Sequence, residues 1–431
     1  MTTSPAASPQ TPVSADGQPD SIRSGTLSQR AGRRPAVVTA AASVNQAVTS
    51  VPGQQGASAI FAAVEGEFGW SRDLVAGVAS FGRVGGTLLG PVEGWMTDKF
   101  GAPRMLLLGM LLGGAALILF SRIQSPVAYY GAYFVMSLGF SIGGFTPAMS
   151  AVNSWVSSQR RATAMAFVFA GQSFAAFLVP LMALGFTVFG WRPTLVVVGL
   201  IVMACALPIS LAIRGRPPKE EAALSRRPAF AADDFTVREA VHTRAFWAIA
   251  TSHMLVNLSN AAVSAHLVLH LKDEGMSLSQ ASSVLPVMGA TGFAAHFLGG
   301  YMGDRMDKRI PAFGAMLLQA AAMALLPFAS TYTLAVLFGA MWGVGVGVRF
   351  PVLHAMRGDY FGRRKYGTIL GLSSLPLAIG MTVTPWLVGR IYVEQDTYMW
   401  TFLGLAAFCL AGSFVVLLAQ RPERPAARTA I

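Results

Sequence analysis

The segment GVGVGVRFPVLH, residues 343–354, places an arginine inside a run of alternating glycine and valine. A guanidinium group binds a carboxylate through two parallel hydrogen bonds, so Arg349 is a candidate ligand for an organic anion. The glycines suggest a phosphate-binding loop instead, but no predicted strand precedes them and no G-x-G-x-x-G is completed. We therefore interpret the segment as a helix in which the arginine, and not the glycines, carries the chemistry.

Other polar residues interrupt apolar stretches in the same way. His253, Asn257 and Asn260 are spaced i, i+4 and i+7, which places them on one helix face. His296 could act as a titratable cation that holds an anion when protonated and releases it when neutral. We predict that a substrate contacts Arg349, His296, Arg83, His253, Asn257, Asn260, Gln46 and Gln54.

Each charged candidate also has a structural explanation. Arg349 could satisfy carbonyl groups around the nearby proline, or pair with Glu93, the one carboxylate inside a clearly predicted membrane segment. Arg83 could donate to carbonyl groups of a neighbouring helix, and His296 could be a buried neutral histidine with one hydrogen bond. At the level of sequence these alternatives stay open.

Composition determines which elements must position these residues. Of 431 residues, 53% are hydrophobic and 12% are charged, against roughly 25% charged in soluble domains. Long and nearly charge-free stretches recur, and about 20 apolar residues suffice for a helix to cross a bilayer. The runs are continuous rather than alternating, which excludes a β-barrel. The basic residues lie in short separate clusters, so the net charge of +12 does not indicate a nucleic-acid surface.

Twelve apolar segments, called spans 1 to 12, follow a polar stretch, residues 1–34, that we expect to be a disordered tail. The charged segment 214–244 separates two six-span halves, residues 35–213 and 245–420, and residues 421–431 form a second tail. The spans are predicted at 36–63, 74–96, 104–121, 127–150, 162–188, 193–213, 245–270, 279–301, 310–328, 333–355, 366–389 and 398–419. The Pro52-Gly53 pair predicts that the helix of span 1 is broken or bent there.

The distribution of lysine and arginine predicts the orientation. The two tails, the central linker and every second connection carry 25 basic residues, whereas the connections on the other side carry five. The connection after span 10 contributes four of the 25, namely Arg357, Arg363, Arg364 and Lys365. Positive residues concentrate on the cytoplasmic side of membrane proteins. We therefore expect both termini and the linker to lie in the cytoplasm. We expect the protein to lie in the plasma membrane, namely the inner membrane of a bacterium.

The two halves repeat one pattern. Gly139, Gly143 and Pro147 of span 4 correspond to Gly343, Gly347 and Pro351 of span 10 at a constant offset of 204 residues. The position that matches Arg349 in span 4 is occupied by phenylalanine. Duplicated halves place a substrate near the membrane midplane between them. Spans 3, 6, 9 and 12 are the most uniformly apolar, so we expect them to face lipid.

The sequence GPVEGWMTDKFGAPR, residues 90–104, resembles the conserved loop motif of the major facilitator superfamily, and GYMGDR, residues 300–305, repeats it. EFGWSR, residues 67–72, and the pattern Trp155…Arg160…Ala170-Gly171 look like the oxalate:formate antiporter and monocarboxylate porter branch. The resemblance implies two six-helix bundles, alternating access, a small organic anion as substrate and a charge latch between the halves. The implied gate residues are Gly94, Asp98, Lys99, Arg104, Gly300, Asp304 and Arg305.

The sequence departs from this branch at two cationic positions. His296 stands where span 8 of such carriers has an arginine, and span 11 lacks the lysine of the oxalate carriers. An oxalate clamp with one cation in each half is therefore not expected.

Together these features predict a secondary active transporter for a small organic anion, with a monocarboxylate as the favoured substrate, driven by proton symport or anion exchange. An efflux carrier for a neutral or cationic compound is one alternative, and a non-transporting receptor on the same scaffold is another. No ATP-binding motif, metal-ligand spacing or catalytic triad is present in the sequence. We expect a monomer in the lipid bilayer with no enzymatic activity, cofactor, metal or nucleic-acid partner.

Overall fold

The structure, a computed structural model, describes residues 20–215 and 234–423; side chains are described from Arg34 onward, except at 72, 73, 76 and 79–88. The first half comprises span 1 (Asp20–Ser50, a π-helical turn Val51–Gln55, and Ala57–Phe68), span 2 (Arg72–Phe100), span 3 (Ala102–Phe120), span 4 (Pro126–Ile142 and Phe145–Trp155), span 5 (Arg161–Phe189) and span 6 (Trp191–Ile213). The second half comprises span 7 (Arg244–Asp273), span 8 (Leu278–Arg305), span 9 (Arg309–Leu325), span 10 (Tyr332–Phe361), span 11 (Tyr366–Gln395) and span 12 (Met399–Leu417).

These elements confirm the predicted all-helical, twelve-span architecture. Within the described residues, ten helical segments are long and apolar enough to cross a membrane, namely spans 3 to 12. Spans 1 and 2 complete the twelve. Span 1 contains the Pro52-Gly53 pair, and span 2 runs into the loop motif of residues 90–104. Several helices are 30 residues long, or about 45 Å at 1.5 Å per residue, so their ends extend beyond the hydrocarbon layer.

Span 1 differs from the prediction at its start and agrees with it in the middle. Its helix begins at Asp20, inside the stretch expected to be a disordered tail, and continues through Pro35; residues 1–19 lie outside the described part. The predicted break at Pro52 and Gly53 is confirmed, because the α-helix ends at Ser50 and a π-helical turn follows.

Hydroxyl side chains fix where several spans begin. Ser71, Ser125, Thr243, Ser277 and Thr331 each accept a hydrogen bond from a backbone N–H in the first turn of the helix that follows. Such caps satisfy donors that have no partner inside the helix. The starts of spans 2, 4, 7, 8 and 10 are therefore encoded locally.

The packing separates the halves and leaves two long seams between them. Span 3 packs on span 6 and span 9 on span 12, each pair within its own half and with many large apolar residues exposed on its outer face. The halves meet where span 2 packs on span 11 and where span 5 packs on span 8. Spans 1, 4, 7 and 10, which carry most of the predicted polar residues, are thereby placed towards the middle.

Candidate substrate site and inter-half latch

Prolines in spans 4 and 10 each leave a carbonyl group without its helical donor. Pro351 has no N–H, so the carbonyl of Gly347, four residues earlier, needs another partner. The His296 ring supplies it, with Nδ1 2.9 Å from the Gly347 oxygen. In the first half Pro147 has the same effect on Gly143, and the Asn45 amide nitrogen lies 3.2 Å from that oxygen. The repeated Gly/Pro pattern thus places two carbonyl groups that are each bound by a side chain of another span, although only span 4 is broken there and span 10 continues as one helix.

Both ring nitrogens of His296 have a hydrogen-bond partner. A carbonyl oxygen can only accept, so Nδ1 donates to Gly347, while Nε2 lies 3.2 Å from the Ser173 hydroxyl of span 5. The ring is buried and stacks on Phe169 with centroids 5.7 Å apart. His296 therefore holds the backbone two residues from Arg349 and also contacts the other half.

Arg349 is fully buried, with 0% of its surface exposed. Nη2 lies 3.5 Å from the Asn257 side-chain oxygen of span 7, and the guanidinium carbon lies 4.6 Å from the centre of the Phe350 ring. Nε and Nη1 have no hydrogen-bond partner within the described structure. Among the described residues Glu93 forms no ion pair with Arg349, so the pairing considered from the sequence is not made.

A second buried arginine was missed by the sequence analysis, which counted Arg357 among the cations of the loop after span 10. The helix continues to Phe361, and Arg357 is 1% exposed. Its Nε donates to Ser373 of span 11 at 3.0 Å, and its Nη2 lies 3.0 Å from His253 Nδ1 of span 7. Its Nη1 and His253 Nε2 have no partner among the described residues. The charge pattern contains no signal of its burial, because it does not show where the helix ends.

An aromatic layer, defined here as Phe145, Phe169, Phe350 and His354, lies between the halves next to Arg349. Phe145 and Phe169 of the first half each contact His354 of the second half with ring centroids 5.2 Å apart. Phe350 contacts Phe169 at 5.3 Å. Phe145 occupies the span 4 position that matches Arg349, so the duplicated halves place an aromatic ring and a cation at equivalent positions.

The predicted polar stripe of span 7 changes exposure along its length. His253 and Asn257 are buried, Asn260 is half-buried and Ser264 is exposed. Span 1 shows the same gradient, from buried Gln46 to exposed Gln54, which accepts a hydrogen bond from Gln172 of span 5 at 2.8 Å. Exposed amides inside membrane spans face water rather than lipid. The Arg83 side chain lies outside the described ones.

At one end of the bundle, called the latch end, carboxylates of each half bind the backbone of the other. Asp98 of span 2 accepts from the Gly367 and Thr368 amides at the start of span 11, at 3.0 and 2.8 Å. Asp304 of span 8 accepts from the Ala162 and Thr163 amides at the start of span 5, at 2.8 and 3.0 Å. Negative charge at a helix N-terminus is favourable because unpaired N–H groups and the helix dipole point towards it.

The cations of the predicted latch are placed elsewhere. Lys99 lies over the Trp95 ring at 4.5 Å, Arg305 lies over the Tyr301 ring at 4.2 Å, and Arg104 is exposed. The predicted glycines lie at the crossings. A Cβ added at Gly94 would overlap the Gly367 carbonyl group, and one at Gly300 would lie 2.8 Å from the Thr163 Cα.

A further carboxylate joins the halves at the latch end. Asp359 of span 10 forms ion pairs with Arg161 of span 5 and with Lys308, the latter at 2.7 Å, and accepts from the Ser158 hydroxyl at 2.8 Å. Asn153 donates to the Gly362 carbonyl at 3.1 Å. The latch end is thus closed by several polar contacts between halves.

Comparison with known proteins identifies the family. The sequence profile of the Major Facilitator Superfamily matches residues 36–330 and, in a second match, 275–430. The chain belongs to the Major Facilitator Superfamily. It is 25% identical to monocarboxylate transporter 13 of Bos taurus over 81% of this chain and 79% of the relative. It is 22% identical to human monocarboxylate transporter 2 over 83% of this chain and 78% of the relative. The resemblance to the monocarboxylate porter branch is confirmed.

Solved structures of this superfamily share the fold. The Escherichia coli fucose:proton symporter has a TM-score of 0.68 and 16% sequence identity, with 90% of this chain and 98% of that chain covered. The human organic anion transporter MFSD10 has a TM-score of 0.64 and 16% identity, with 89% and 99% covered. This superfamily member is accordingly a multi-pass membrane transporter and not an enzyme.

Proposed function

We propose that this transporter moves a small organic anion by alternating access and that Arg349 binds the anionic group of the substrate. The observation that carries the proposal is a fully buried guanidinium with two unpartnered nitrogens and no carboxylate paired to it within the described structure. Leaving such a charge unpaired in a membrane span costs at least about 3 kcal/mol. An incoming carboxylate would pair with it bidentately and remove that cost.

The surroundings of Arg349 support the same proposal. The polar stripe of span 7 leads from exposed Ser264 through Asn260 to Asn257 beside the guanidinium, and it marks the path that we propose for the anion from the end opposite the latch. The aromatic layer and the closed latch block the other direction. An anion could thus reach Arg349 from one side only, as alternating access requires.

The class of anion follows from the relatives. Their names describe monocarboxylate transporters, and a single cation at Arg349 fits a single carboxylate. We expect a monocarboxylate, carried by proton symport or by anion exchange. We also infer from the distribution of basic residues that the latch end faces the cytoplasm, with both termini on that side of the plasma membrane.

The test is uptake of radiolabelled formate, acetate, lactate, pyruvate and oxalate into proteoliposomes, with protein-free liposomes as the baseline for leakage. We expect Arg349→Gln to lower kcat/KM about 100-fold, because losing roughly 2 to 3 kcal/mol of charged hydrogen bonding corresponds to that factor. Arg349→Lys should have a kcat/KM between those of the wild-type protein and Arg349→Gln, since lysine keeps the positive charge but cannot make two parallel hydrogen bonds to a carboxylate. Arg390→Gln is the matched control, because Arg390 is exposed and pairs with Glu394 on its own helix.

Two further outcomes decide the mechanism. An imposed inward pH gradient should accelerate uptake if the coupling is proton symport, and only internal anion should do so if it is exchange. Transport of an organic anion that persists at the wild-type rate in a correctly inserted Arg349→Gln variant would refute the assigned role.

A further inference from the structure

We propose that Arg357 and His253 form a second carboxylate-binding site, on the latch-end side of Arg349, that holds the transported anion when the latch end is open. The inference rests on the proposed function and extends it from one binding position to two along span 10. Nothing in the family comparison assigns a role to Arg357.

Arg357 has no charge compensation among the described residues. Arg357 is 1% exposed, and its hydrogen-bond partners in the described structure are a hydroxyl, Ser373, and an imidazole, His253. The nearest carboxylate in sequence, Asp359, is engaged by Arg161 and Lys308. A buried cation that is held only by neutral groups is costly, and an anionic ligand would offset that cost.

Arg357 and His253 also have unused hydrogen-bonding capacity. Arg357 Nη1 and His253 Nε2 are both buried without a partner among the described residues. Since Nη2 donates to His253 Nδ1, the Nε2 atom of the neutral ring carries its proton and is a donor. Two neighbouring side chains on two spans thus each keep one unpaired donor, Arg357 Nη1 and His253 Nε2 on the far edge of the ring, and an anion would supply the acceptor that is missing.

The position of Arg357 along span 10 places it on the path of the anion beyond Arg349. Arg357 is eight residues after Arg349, about 12 Å along the helix towards the latch end. Their contacts on span 7, His253 and Asn257, are one turn apart, and the Asn257 amide donates to the His253 carbonyl at 2.7 Å. The aromatic residues Phe350 and His354 lie between the two arginines in sequence. An anion that passes the aromatic layer would next meet Arg357.

The test measures sidedness of transport. Uptake of the panel anion with the highest wild-type rate is followed in right-side-out and inside-out membrane vesicles, so that the substrate is offered to each end in turn. Labelling of Gln159→Cys, an exposed position between spans 4 and 5, by an impermeant reagent identifies which vesicles present the latch end. A background without Cys205 and Cys409 keeps the labelling specific.

We expect Arg357→Gln to raise the KM for anion offered at the latch end about tenfold and to change the KM at the other end less than twofold. Arg357→Lys should restore most of the latch-end affinity, because it keeps the charge. Ser374→Ala is the inert control, since Ser374 hydrogen-bonds only to Leu370 of its own helix.

The outcomes separate this inference from the proposed function. An equal rise of KM at both ends, no rise at either end, or a loss in Arg357→Lys as large as in Arg357→Gln would overturn the second site and show that Arg357 only ties spans 7, 10 and 11 together. If the wild-type protein moves no organic anion from either end, it is the proposed function that fails.

Discussion

At the scale of single residues, the contacts of His296 favour a positioning role over a titratable one. We expect His296→Ala to leave the Gly347 carbonyl unpaired in a buried site, at a cost of about 1–3 kcal/mol, with a lower Tm in detergent and slower transport. His296→Asn places an amide donor where Nδ1 lies. It should restore the Tm and the transport rate and should leave the pH profile of uptake as in the wild-type protein. A stable His296→Asn protein that has lost proton-driven uptake would contradict the positioning role and favour the titratable one.

The two arginines show what sequence reasoning can and cannot recover. Arg349 was found because it follows a Gly/Val run well inside an apolar segment. Arg357 was assigned to the loop because it lies six residues before the cationic run that begins at Arg363, and a pattern of charges does not reveal where a helix ends. Only the packing of spans 7 and 11 against it shows that it is buried.

At the scale of elements, the crossing of spans 2 and 11 depends on glycine. A side chain at Gly94 would overlap the Gly367 carbonyl group, so Gly94→Val should prevent the halves from closing at the latch end. We expect spin labels at Gln159→Cys and Arg364→Cys, both exposed in connections of opposite halves, to move apart in this variant. Gly314→Val is the control, because that glycine of span 9 has nothing within 4 Å of an added Cβ. An unchanged distance distribution in Gly94→Val would show that the crossing tolerates the side chain by local repacking.

The elements themselves were largely predictable, and their interruptions less so. Continuous apolar runs and hydroxyl caps fix the spans, and the Pro-Gly pair predicted the break in span 1. The partners of the freed carbonyl groups, Asn45 and His296, were not predicted as such, because a proline shows that a donor is missing but not which distant side chain replaces it.

At the scale of the whole molecule, the same type of contact, a carboxylate that binds the start of a helix, joins the two halves at two places. Asp98 caps the start of span 11 and Asp304 caps the start of span 5, so each half offers a carboxylate to the backbone of the other. The loop motif predicted the carboxylates, but the donors that bind them were expected to be side-chain cations. Backbone amides have no signature in a sequence, so only the assembled structure could identify them.

Because the two carboxylate sites are equivalent, the effect of weakening one site or both on the opening of the latch can be predicted. Asp98→Asn and Asp304→Asn each remove charged hydrogen bonds worth about 1.5–3 kcal/mol, so each should raise the ratio of open to closed latch at least about tenfold. The two sites share no residue, and both bias one equilibrium between closed and open halves. Their free energies should therefore add, and the double variant should shift the ratio by the product of the single effects. The Gln159→Cys and Arg364→Cys label pair reports the ratio directly. A double variant that is no more open than one single variant would mean that the halves hinge open along one seam while the other stays joined.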